Sequence, residues 1–357
     1  MASEIRDNVK EYYGKVLTTN ENLQTNACVQ VEKVPERVRE AISLCHEDVL
    51  SKYYGCGLVF PNSVESTKVL DFGSGAGRDC FVMSKLVGEE GFVTGIDMTE
   101  EQLDVANKYI QYHMDKFGYT SPNLEFKLGY IENLKDAGIK DESCDLIISN
   151  CVINLSPDKP SVFKEAFRVL QEGGEFYFSD IYADRESPQN IKEHKELWGE
   201  GLAGAMYWKS FVELTKEIGF SGPYLVTSRP MTCGNEGLEK LLGDSKFVSV
   251  TYRLFKTSKK TEEKNCISVK YKGTISDSPD VFKFDHKNSF DCSFKPVSTD
   301  IGHVLKNSRY AKHLEFMTVE PDCSRSFEMS VSPNPFKVAN VVNGNNEKPA
   351  ATSKICC

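Results

Sequence analysis

A glycine-rich loop follows the first segment of the chain that has the apolar pattern of a buried strand. The run Val69–Asp79 reads VLDFGSGAGRD, and its alternate glycines, Gly73, Gly75 and Gly77, let the backbone approach a ligand closely. A ligand bound there lies beside a helix N-terminus, at the carboxyl edge of the sheet. Asp97 ends the second predicted strand 20 residues after Gly77, where an acidic residue commonly binds ribose hydroxyls. The spacing therefore predicts a site for a cofactor that carries a ribose.

The order of these glycines distinguishes between two classes of cofactor. Dinucleotide sites have the pattern G-x-G-x-x-G, whereas here the third glycine comes one residue earlier. Asp71 would repel a pyrophosphate, but the zwitterionic methionine tail of S-adenosylmethionine (SAM) can use carboxylates and backbone groups together. The compact loop with Asp71 before it resembles the SAM loop of class I methyltransferases. A turn that binds no ligand is the alternative, and the strand, the helix and Asp97 around the loop argue against it. The residues that we predict to bind SAM are Asp71, Gly73, Ser74, Gly75, Gly77, Asp97, Met98, Ile131, Glu132 and Asn150.

Cysteine is the other residue type that could carry chemistry, since the chain contains 12 of them. Cys151 follows the fourth predicted strand at the carboxyl edge of the sheet, where ligands bind in open α/β folds. Cys28 and Cys56 lie in polar or glycine-rich contexts, which suit ligands or redox thiols better than a packed core. The alternative for each is burial as a small apolar side chain. The sequence has no C-x-x-C pair, so a zinc finger or ribbon is disfavoured.

The remaining cysteines carry weaker signals. We expect packing roles for Cys45, Cys80 and Cys144. The cysteines of the last third show no metal-ligand spacing; they are Cys233, Cys266, Cys292 and Cys323. The terminal pair, Cys356 and Cys357, does not fit a prenylation box, which leaves an exposed thiol relay or no role.

The composition restricts the compartment and the partners. The chain has 43 basic and 52 acidic residues, and its formal net charge of −9 would repel nucleic acid and anionic membranes. No apolar run is long enough to span a bilayer, and the first residues have no apolar signal core. We therefore expect a monomer in the cytosol with reduced thiols and with neither a membrane nor a nucleic-acid partner. The length of 357 residues suggests about two domains.

Strand and helix patterns alternate through the middle of the chain. The predicted strands are Lys68–Gly73, Phe92–Met98, Leu124–Tyr130, Cys144–Val152, Glu175–Ser179 and Phe247–Phe255. The predicted helices are Arg78–Val87, Glu101–Phe117, Ser161–Leu170 and Trp208–Ile218. Thr99 and Gln102 have the spacing of a capping box. The alternation predicts a doubly wound, mostly parallel, Rossmann-like α/β sheet over residues 66–256, the SAM-binding domain.

Other segments flank this predicted sheet. Residues 1–65 have the pattern of a mainly helical N-terminal segment, which contains Cys28 and Cys56. Residues 265–335 combine strand-like runs with one helix-like run and are predicted to form a small α+β C-terminal domain. Residues 337–357 are rich in Asn, Lys, Ala and Ser, so we expect a disordered tail.

Several stretches of the sequence together resemble one enzyme family. They are residues 23–28, 53–57, 71–80, 95–99, 149–155, 178–180, 197–200 and 247–249. Over roughly residues 10–330 the chain resembles the arsenite methyltransferases of animals, in its cysteine contexts as well as in its cofactor loop. The resemblance implies a class I methyltransferase fold and the transfer of methyl groups from SAM to trivalent arsenic. It also implies electrons from thioredoxin or glutathione, because methyl transfer formally oxidises arsenic.

The resemblance further implies roles for individual cysteines. Cys28, Cys56 and Cys151 match three of the family's four functional cysteines, and Gly201 stands where the fourth, the partner of Cys151, is expected. Trivalent arsenic is thiophilic and makes three bonds, so three thiolates satisfy it. We therefore predict methylation of arsenite to mono- and dimethylated arsenicals, with these three cysteines as catalytic ligands of the arsenic substrate. Gly201 leaves two alternatives open, a SAM methyltransferase for another small molecule and a non-catalytic binder of arsenicals.

Overall fold

A mixed sheet of eight strands lies at the centre of the computed structural model, which describes residues 2–17, 34–233, 235–257, 266–319 and 332–340. The strands are β1 Lys68–Phe72, β2 Phe92–Asp97, β3 Leu124–Leu128, β4 Cys144–Asn150, β5 Leu170–Ala183, β6 Met206–Tyr207, β7 Ser221–Met231 and β8 Phe247–Phe255. Their order is β3-β2-β1-β4-β5-β8-β7, with β6 paired to β5. Strands β1 to β6 pair in parallel, and β7 and β8 are antiparallel. The doubly wound, mostly parallel sheet predicted from the sequence is confirmed.

Helices cover both faces of this sheet. They are α1 Ala2–Glu11, α2 Glu36–Ser43, α3 Glu47–Leu50, α4 Arg78–Val87, α5 Glu100–Lys108, α6 Ile110–Phe117, α7 Lys159–Val169, α8 Gln189–Lys192, α9 Lys195–Gly199, α10 Trp208–Ile218 and α11 Glu236–Leu242. Successive side chains of β1 point into different cores: Val69 packs with α2, α4 and α6, and Leu70 packs with α7 and α10. A strand that is buried on both faces needs a continuous apolar run, which is why β1 and β4 could be recognised in the sequence.

Three elements differ from the sequence-based predictions. Strand β5 is longer than the predicted Glu175–Ser179, because β8 pairs with it as far as Ala183. Strand β7 was not predicted, since Pro223 and Pro230 argue against a strand; its place at the edge of the sheet tolerates them. The helix predicted over Glu101–Phe117 is divided at Tyr109 into α5 and α6.

The predicted capping box is wrong. Thr99 precedes α5 but makes no side-chain cap. The Gln102 side chain instead donates from Nε2 to the carbonyl oxygen of Tyr13, at 2.8 Å. A long-range contact to the N-terminal segment has therefore replaced a local one.

A smaller antiparallel unit follows the central sheet. Its elements are β9 Cys266–Tyr271, β10 Phe282–Lys283, β11 Ser289–Phe290, β12 Lys295–Val297, α12 Thr299–Asn307 and β13 Leu314–Val319. The last helix, α13 Pro335–Val338, packs instead against β7 and β8 of the central sheet, so Lys337 and Val338 are helical and not part of a disordered tail. Three strands pair in the order β12-β9-β13, and their core includes Tyr224 and Phe255 of the central sheet. Of the predicted tail, residues 341–357 lie outside the described residues. Within the described part of the chain, no helix is long and apolar enough to cross a bilayer.

Candidate active site

A cleft of about 990 Å³, open at its mouth, lies at the carboxyl ends of β1, β2 and β4. It is lined by nine of the ten residues predicted to bind the cofactor, namely Asp71, Gly73, Ser74, Gly75, Asp97, Met98, Ile131, Glu132 and Asn150. Gly77, the tenth, precedes α4 as its N-cap residue. This edge is where open α/β sheets bind ligands. The contact of these residues with SAM stays a prediction.

The glycine loop turns sharply between β1 and α4. The φ angles of Gly73, Gly75 and Gly77 are 71°, 52° and 90°, which residues with a Cβ rarely adopt. The N–H of Gly75 donates to Oδ2 of Asp97 at 2.8 Å, and the N–H of Thr99 donates to Oδ1 at 2.8 Å. Asp97 therefore fixes the loop, and its carboxylate lines the cleft.

Three carboxylates concentrate negative charge beside the loop. Burial raises the pKa of Asp71, Asp79 and Asp97, and the charge of Asp79 raises that of Asp71 further. The thiol of Cys80 donates to Oδ2 of Asp71 at 3.1 Å, and this hydrogen bond lowers the pKa of Asp71. Such a cluster favours a ligand that brings positive charge into the cleft.

Arg78 is a candidate binding residue that is not among the ten residues predicted to bind SAM, although it directly follows the glycine loop. Its side chain lines the cleft and is only 3% exposed. The guanidinium lies 3.7 Å from the centre of the Tyr53 ring, and Nη1 lies 3.2 Å from Oδ1 of Asp79. Among the described residues, no hydrogen-bond acceptor is placed for any of its three nitrogens. A buried guanidinium with unused N–H groups fits an anionic group of a ligand in this cleft.

The structure brings two of the three predicted arsenic ligands together. Cys56 and Cys151 form a disulfide, with Cα atoms 5.8 Å apart, and Cys151 lines the cleft. The carbonyl oxygen of Cys56 accepts hydrogen bonds from Nη2 of Arg229 at 2.6 Å and from Oγ of Ser249 at 3.3 Å. Cys28 lies outside the described residues. The binding of arsenic by these cysteines therefore stays a prediction.

Gly201 lies in the turn that follows α9, with a φ of 75°. Of the atoms in the described ranges, a Cβ at this position would meet only Cδ1 of Ile181 within 4 Å, at 3.6 Å, which leaves room there for a side chain. The next residue, Leu202, belongs to an apolar cluster that also contains Cys233, and Cys151 packs against this cluster. Gly201 thus lies near the Cys151 side of the site.

Outside the disulfide between Cys56 and Cys151, Cys45, Cys80, Cys144, Cys233 and Cys292 are free, and Cys233 belongs to the cluster against which Cys151 packs. As expected, Cys45, Cys80 and Cys144 are buried in the apolar cores. Cys292 is exposed. Within the described ranges, no group of three or more His, Cys, Asp or Glu side chains is arranged to hold a metal ion.

The N-terminal helix contributes a wall of the cleft that no motif indicated. Arg6 and Tyr13 line the cleft, and Nε of Arg6 lies 3.4 Å from Oε1 of Glu132. The hydroxyl of Tyr12 donates to Oε1 of Glu200 at 2.6 Å. The segment from α1 to Tyr13 therefore contacts both the cofactor residues and the turn that contains Gly201.

Two family models match the chain. A methyltransferase domain matches residues 63–219, and an arsenite methyltransferase C-terminal domain matches residues 263–357. The second match covers the small antiparallel unit, which contains none of the predicted site residues.

Several arsenite methyltransferases are similar to the chain over most of their length. The human enzyme is 48% identical over 345 residues, which is 94% of this chain and 92% of the human one. The enzyme of the bacterium Aquipseudomonas alcaligenes is 42% identical, over 90% of this chain and 93% of its own. A crystal structure of an arsenic(III) S-adenosylmethionine methyltransferase from Chlamydomonas reinhardtii superimposes with a TM-score of 0.76 at 41% identity, covering 81% of this chain and 97% of that one.

Proposed function

The chain belongs to the arsenite methyltransferase family, and from this premise we propose that it methylates trivalent arsenic with thiolates of Cys28, Cys56 and Cys151 as the arsenic ligands. The observation that carries this proposal is the position of Cys56 and Cys151, which lie within bonding distance of each other beside the cofactor cleft. Each thiol replaces one hydroxyl of arsenite, and the hydroxyl leaves as water. Thiolates that hold arsenic here fix the direction of its lone pair relative to the cleft, and such orientation is a large part of catalysis.

The residues of the cleft fit SAM, which supplies an electrophilic methyl group on a positively charged sulfur. Arg78 lines the cleft with a buried guanidinium, which suits the carboxylate of the methionine tail. Asp97 lines the cleft at the end of β2, where an acidic residue commonly binds ribose hydroxyls, and the acidic cluster around Asp71 favours the positive charge of the ligand.

The reaction that we propose requires a reductant. The arsenic lone pair forms the bond to carbon as the carbon–sulfur bond breaks, and the electron pair of that bond stays on sulfur. Arsenic is thereby formally oxidised by two electrons, and two thiols of glutathione or thioredoxin return them by forming one disulfide. A second cycle converts the monomethylated product into the dimethylated one. We further propose that the enzyme works as a monomer in the cytosol, where thiols are kept reduced.

Arsenic speciation tests this function. The reduced protein is incubated with arsenite, SAM and either glutathione or a thioredoxin system, and the inorganic, monomethyl and dimethyl species are separated over time. We expect both methylated products from the wild type and a rate at least about ten-fold lower from Cys56→Ser and from Cys151→Ser. Cys292→Ser is the control, because Cys292 is exposed and unpaired with either thiol.

Each alternative outcome has a distinct meaning. Full activity of Cys56→Ser would refute its role as a ligand. Tight arsenite binding without consumption of SAM would identify a binder of arsenicals. Consumption of SAM only with an organic acceptor would identify a methyltransferase for another small molecule.

A further inference from the structure

The donors and acceptors of the Asn150 side-chain amide are all hydrogen-bonded to other residues of the protein. Its Oδ1 accepts the N–H groups of Cys56 at 2.9 Å and Gly57 at 3.1 Å. The two hydrogens of its Nδ2 are shared among three acceptors, the Tyr53 hydroxyl at 2.8 Å, the Gly57 carbonyl at 2.9 Å and Oδ2 of Asp79 at 3.0 Å. A primary amide has two N–H donors and one oxygen with two lone pairs. These contacts leave Asn150 no hydrogen bond for a ligand, although the sequence suggests it as a cofactor residue.

The same contacts fix the segment that contains Cys56 onto the end of β4. A Cβ at Gly55 would lie 2.5 Å from Nδ2 of Asn150, so glycine is required for this close approach. The Tyr53 hydroxyl also donates to the carbonyl of Gly57 at 3.2 Å, across the turn. The direction of the Cys56 side chain, toward Cys151, therefore depends on the amide of Asn150.

The partners of Asn150 connect it to the cofactor side of the cleft. The Tyr53 ring lies 3.7 Å from the guanidinium of Arg78, and Asp79 is the ion-pair partner of that guanidinium at 3.2 Å. Asn150 donates a hydrogen bond to both Tyr53 and Asp79. One amide thus joins the backbone of Cys56 to the two residues that hold Arg78.

We propose that Asn150 is a positioning residue that sets the Cys56 thiol relative to Arg78 and the cleft, and that it is not itself a ligand of the cofactor. The proposal rests on the proposed function, in which Cys56 binds arsenic. Loss of the amide frees the N–H groups of Cys56 and Gly57, so the segment opens more often. Arg78 keeps its own direct contacts with the Tyr53 ring and with Asp79, so the residues that we assign to the cofactor stay in place.

The test compares Asn150→Ala with Asn154→Ala in the full-length reduced protein. Asn154 is a matched control, because it is a buried asparagine four residues later in the chain. Its Nδ2 donates to the carbonyl of Ile181 at 2.6 Å and not to the Cys56 segment. Two quantities are measured without arsenic: the dissociation constant of S-adenosylhomocysteine by calorimetry, and the alkylation rate of Cys56 by iodoacetamide, followed by mass spectrometry.

We expect Asn150→Ala to change the alkylation rate of Cys56 but not the affinity for S-adenosylhomocysteine. Asn150→Ala binds S-adenosylhomocysteine within about three-fold of the wild type, while its Cys56 is alkylated about ten-fold faster, which corresponds to about 1.4 kcal/mol. Asn154→Ala changes neither quantity. Tyr53→Phe keeps the ring on Arg78 but removes the hydroxyl, so it increases the alkylation rate less than Asn150→Ala does. In the complete reaction Asn150→Ala raises the KM for arsenite and leaves the KM for SAM unchanged.

Two results would overturn the proposal. One is a loss of affinity for S-adenosylhomocysteine with unchanged Cys56 reactivity, which would make Asn150 a cofactor ligand. The other is faster alkylation of the buried Cys45 together with Cys56, which would reveal a general loosening of the fold. A wild-type protein that fails to methylate arsenite would refute the proposed function instead, because neither alkylation nor cofactor binding requires arsenic.

Discussion

Cys56 and Cys151 are joined by a disulfide across 95 residues of sequence, beside the cleft that the cofactor residues line. Disulfide sulfurs have no thiol proton to release with a hydroxyl of arsenite. We therefore expect the oxidised protein to bind arsenite at least about ten-fold more weakly than the reduced protein. Arsenic that is retained after gel filtration and counted by elemental mass spectrometry measures this difference. A double Cys56→Ser, Cys151→Ser variant is the control and shows no difference between the two states. Equal binding by oxidised and reduced wild type would contradict the prediction.

Arg78 is expected to contribute most of the binding energy of the cofactor carboxylate. Its guanidinium is buried in the wall of the cleft, between the Tyr53 ring and Asp79. A hydrogen bond to a charged group contributes about 1.5–3 kcal/mol, so Arg78→Met should weaken binding of S-adenosylhomocysteine at least about ten-fold. Calorimetric titration measures the dissociation constant directly.

The loss of Arg78 also leaves the buried Asp79 without its ion-pair partner. A double Arg78→Met, Asp79→Asn variant restores the charge balance and should still bind weakly. Arg168→Met is a second control, because Arg168 pairs with Glu165 and Asp141 outside the cleft. Unchanged affinity in both Arg78 variants would show that the carboxylate binds elsewhere.

The parallel part of the sheet could be predicted from the sequence because its central strands β1 and β4 are largely apolar and its loop has a fixed glycine spacing. Strand β7 could not, since its prolines are tolerated only at a sheet edge, and the edge is a property of the whole fold. The extension of β5 to Ala183 likewise depends on pairing with β8, more than 60 residues later. Local patterns do not contain this information.

The residues of the candidate site likewise fall into those that the sequence predicts and those that only the fold reveals. Asp97 could be selected because an acid at the end of the second strand follows from the motif itself. The bonds of Asn150 to Cys56 span 94 residues, and no spacing rule predicts them. Arg78 directly follows the glycine loop, but only the folded protein shows that its guanidinium is buried in the wall of the cleft.

Replacement of Gly201 by cysteine should increase arsenite methylation. The position has room for a side chain and lies next to the apolar cluster against which Cys151 packs. Its φ of 75° is unfavourable for any residue with a Cβ, so we expect a loss of stability of about 1–2 kcal/mol. Gly201→Ala is the matched control, because it has the same backbone strain without the sulfur. A gain of about three-fold or more in kcat/KM for arsenite, seen in the cysteine variant alone, assigns the effect to the thiol. Equal rates of the two variants would refute this assignment.

Glu175 of β5 forms two ion pairs, one with Arg253 of the neighbouring strand β8 and one with Arg309 of the C-terminal unit. Its carboxylate lies 2.7 Å from Nε of Arg253 and 2.5 Å from Nη1 of Arg309. Removal of a buried partner leaves uncompensated charge, so Glu175→Ala should destabilise the protein by about 3–5 kcal/mol. Glu142→Ala breaks an exposed pair with Lys256 and should cost less than about 1 kcal/mol. Urea unfolding measures both, and a similar small loss in the two variants would show that the buried pairs are not needed.

Asp180 should make the stability of the protein fall as the pH rises. Its side chain is 2% exposed, and burial raises its pKa to about 7, although the N–H groups of Ile181 and Asn154 and the charge of Lys159 act in the opposite direction. Between about pH 4 and pH 7 the folded protein therefore holds a proton at Asp180 that the unfolded chain has released. Because the folded state binds more protons there, the free energy of unfolding decreases with pH, by at most about 1.4 kcal/mol per pH unit.

Asp180→Asn removes this titration without changing the size of the side chain. The unfolding free energy of the variant, minus that of the wild type, should increase as the pH rises through this window. Urea unfolding of both proteins at several pH values measures the difference, in which the contributions of the other acidic residues cancel. The charge of Lys159 does not interfere, because burial lowers its pKa only to about 8, so it stays protonated over most of the window. Parallel stability curves for the two proteins would show that Asp180 is already ionised in the folded state at pH 4.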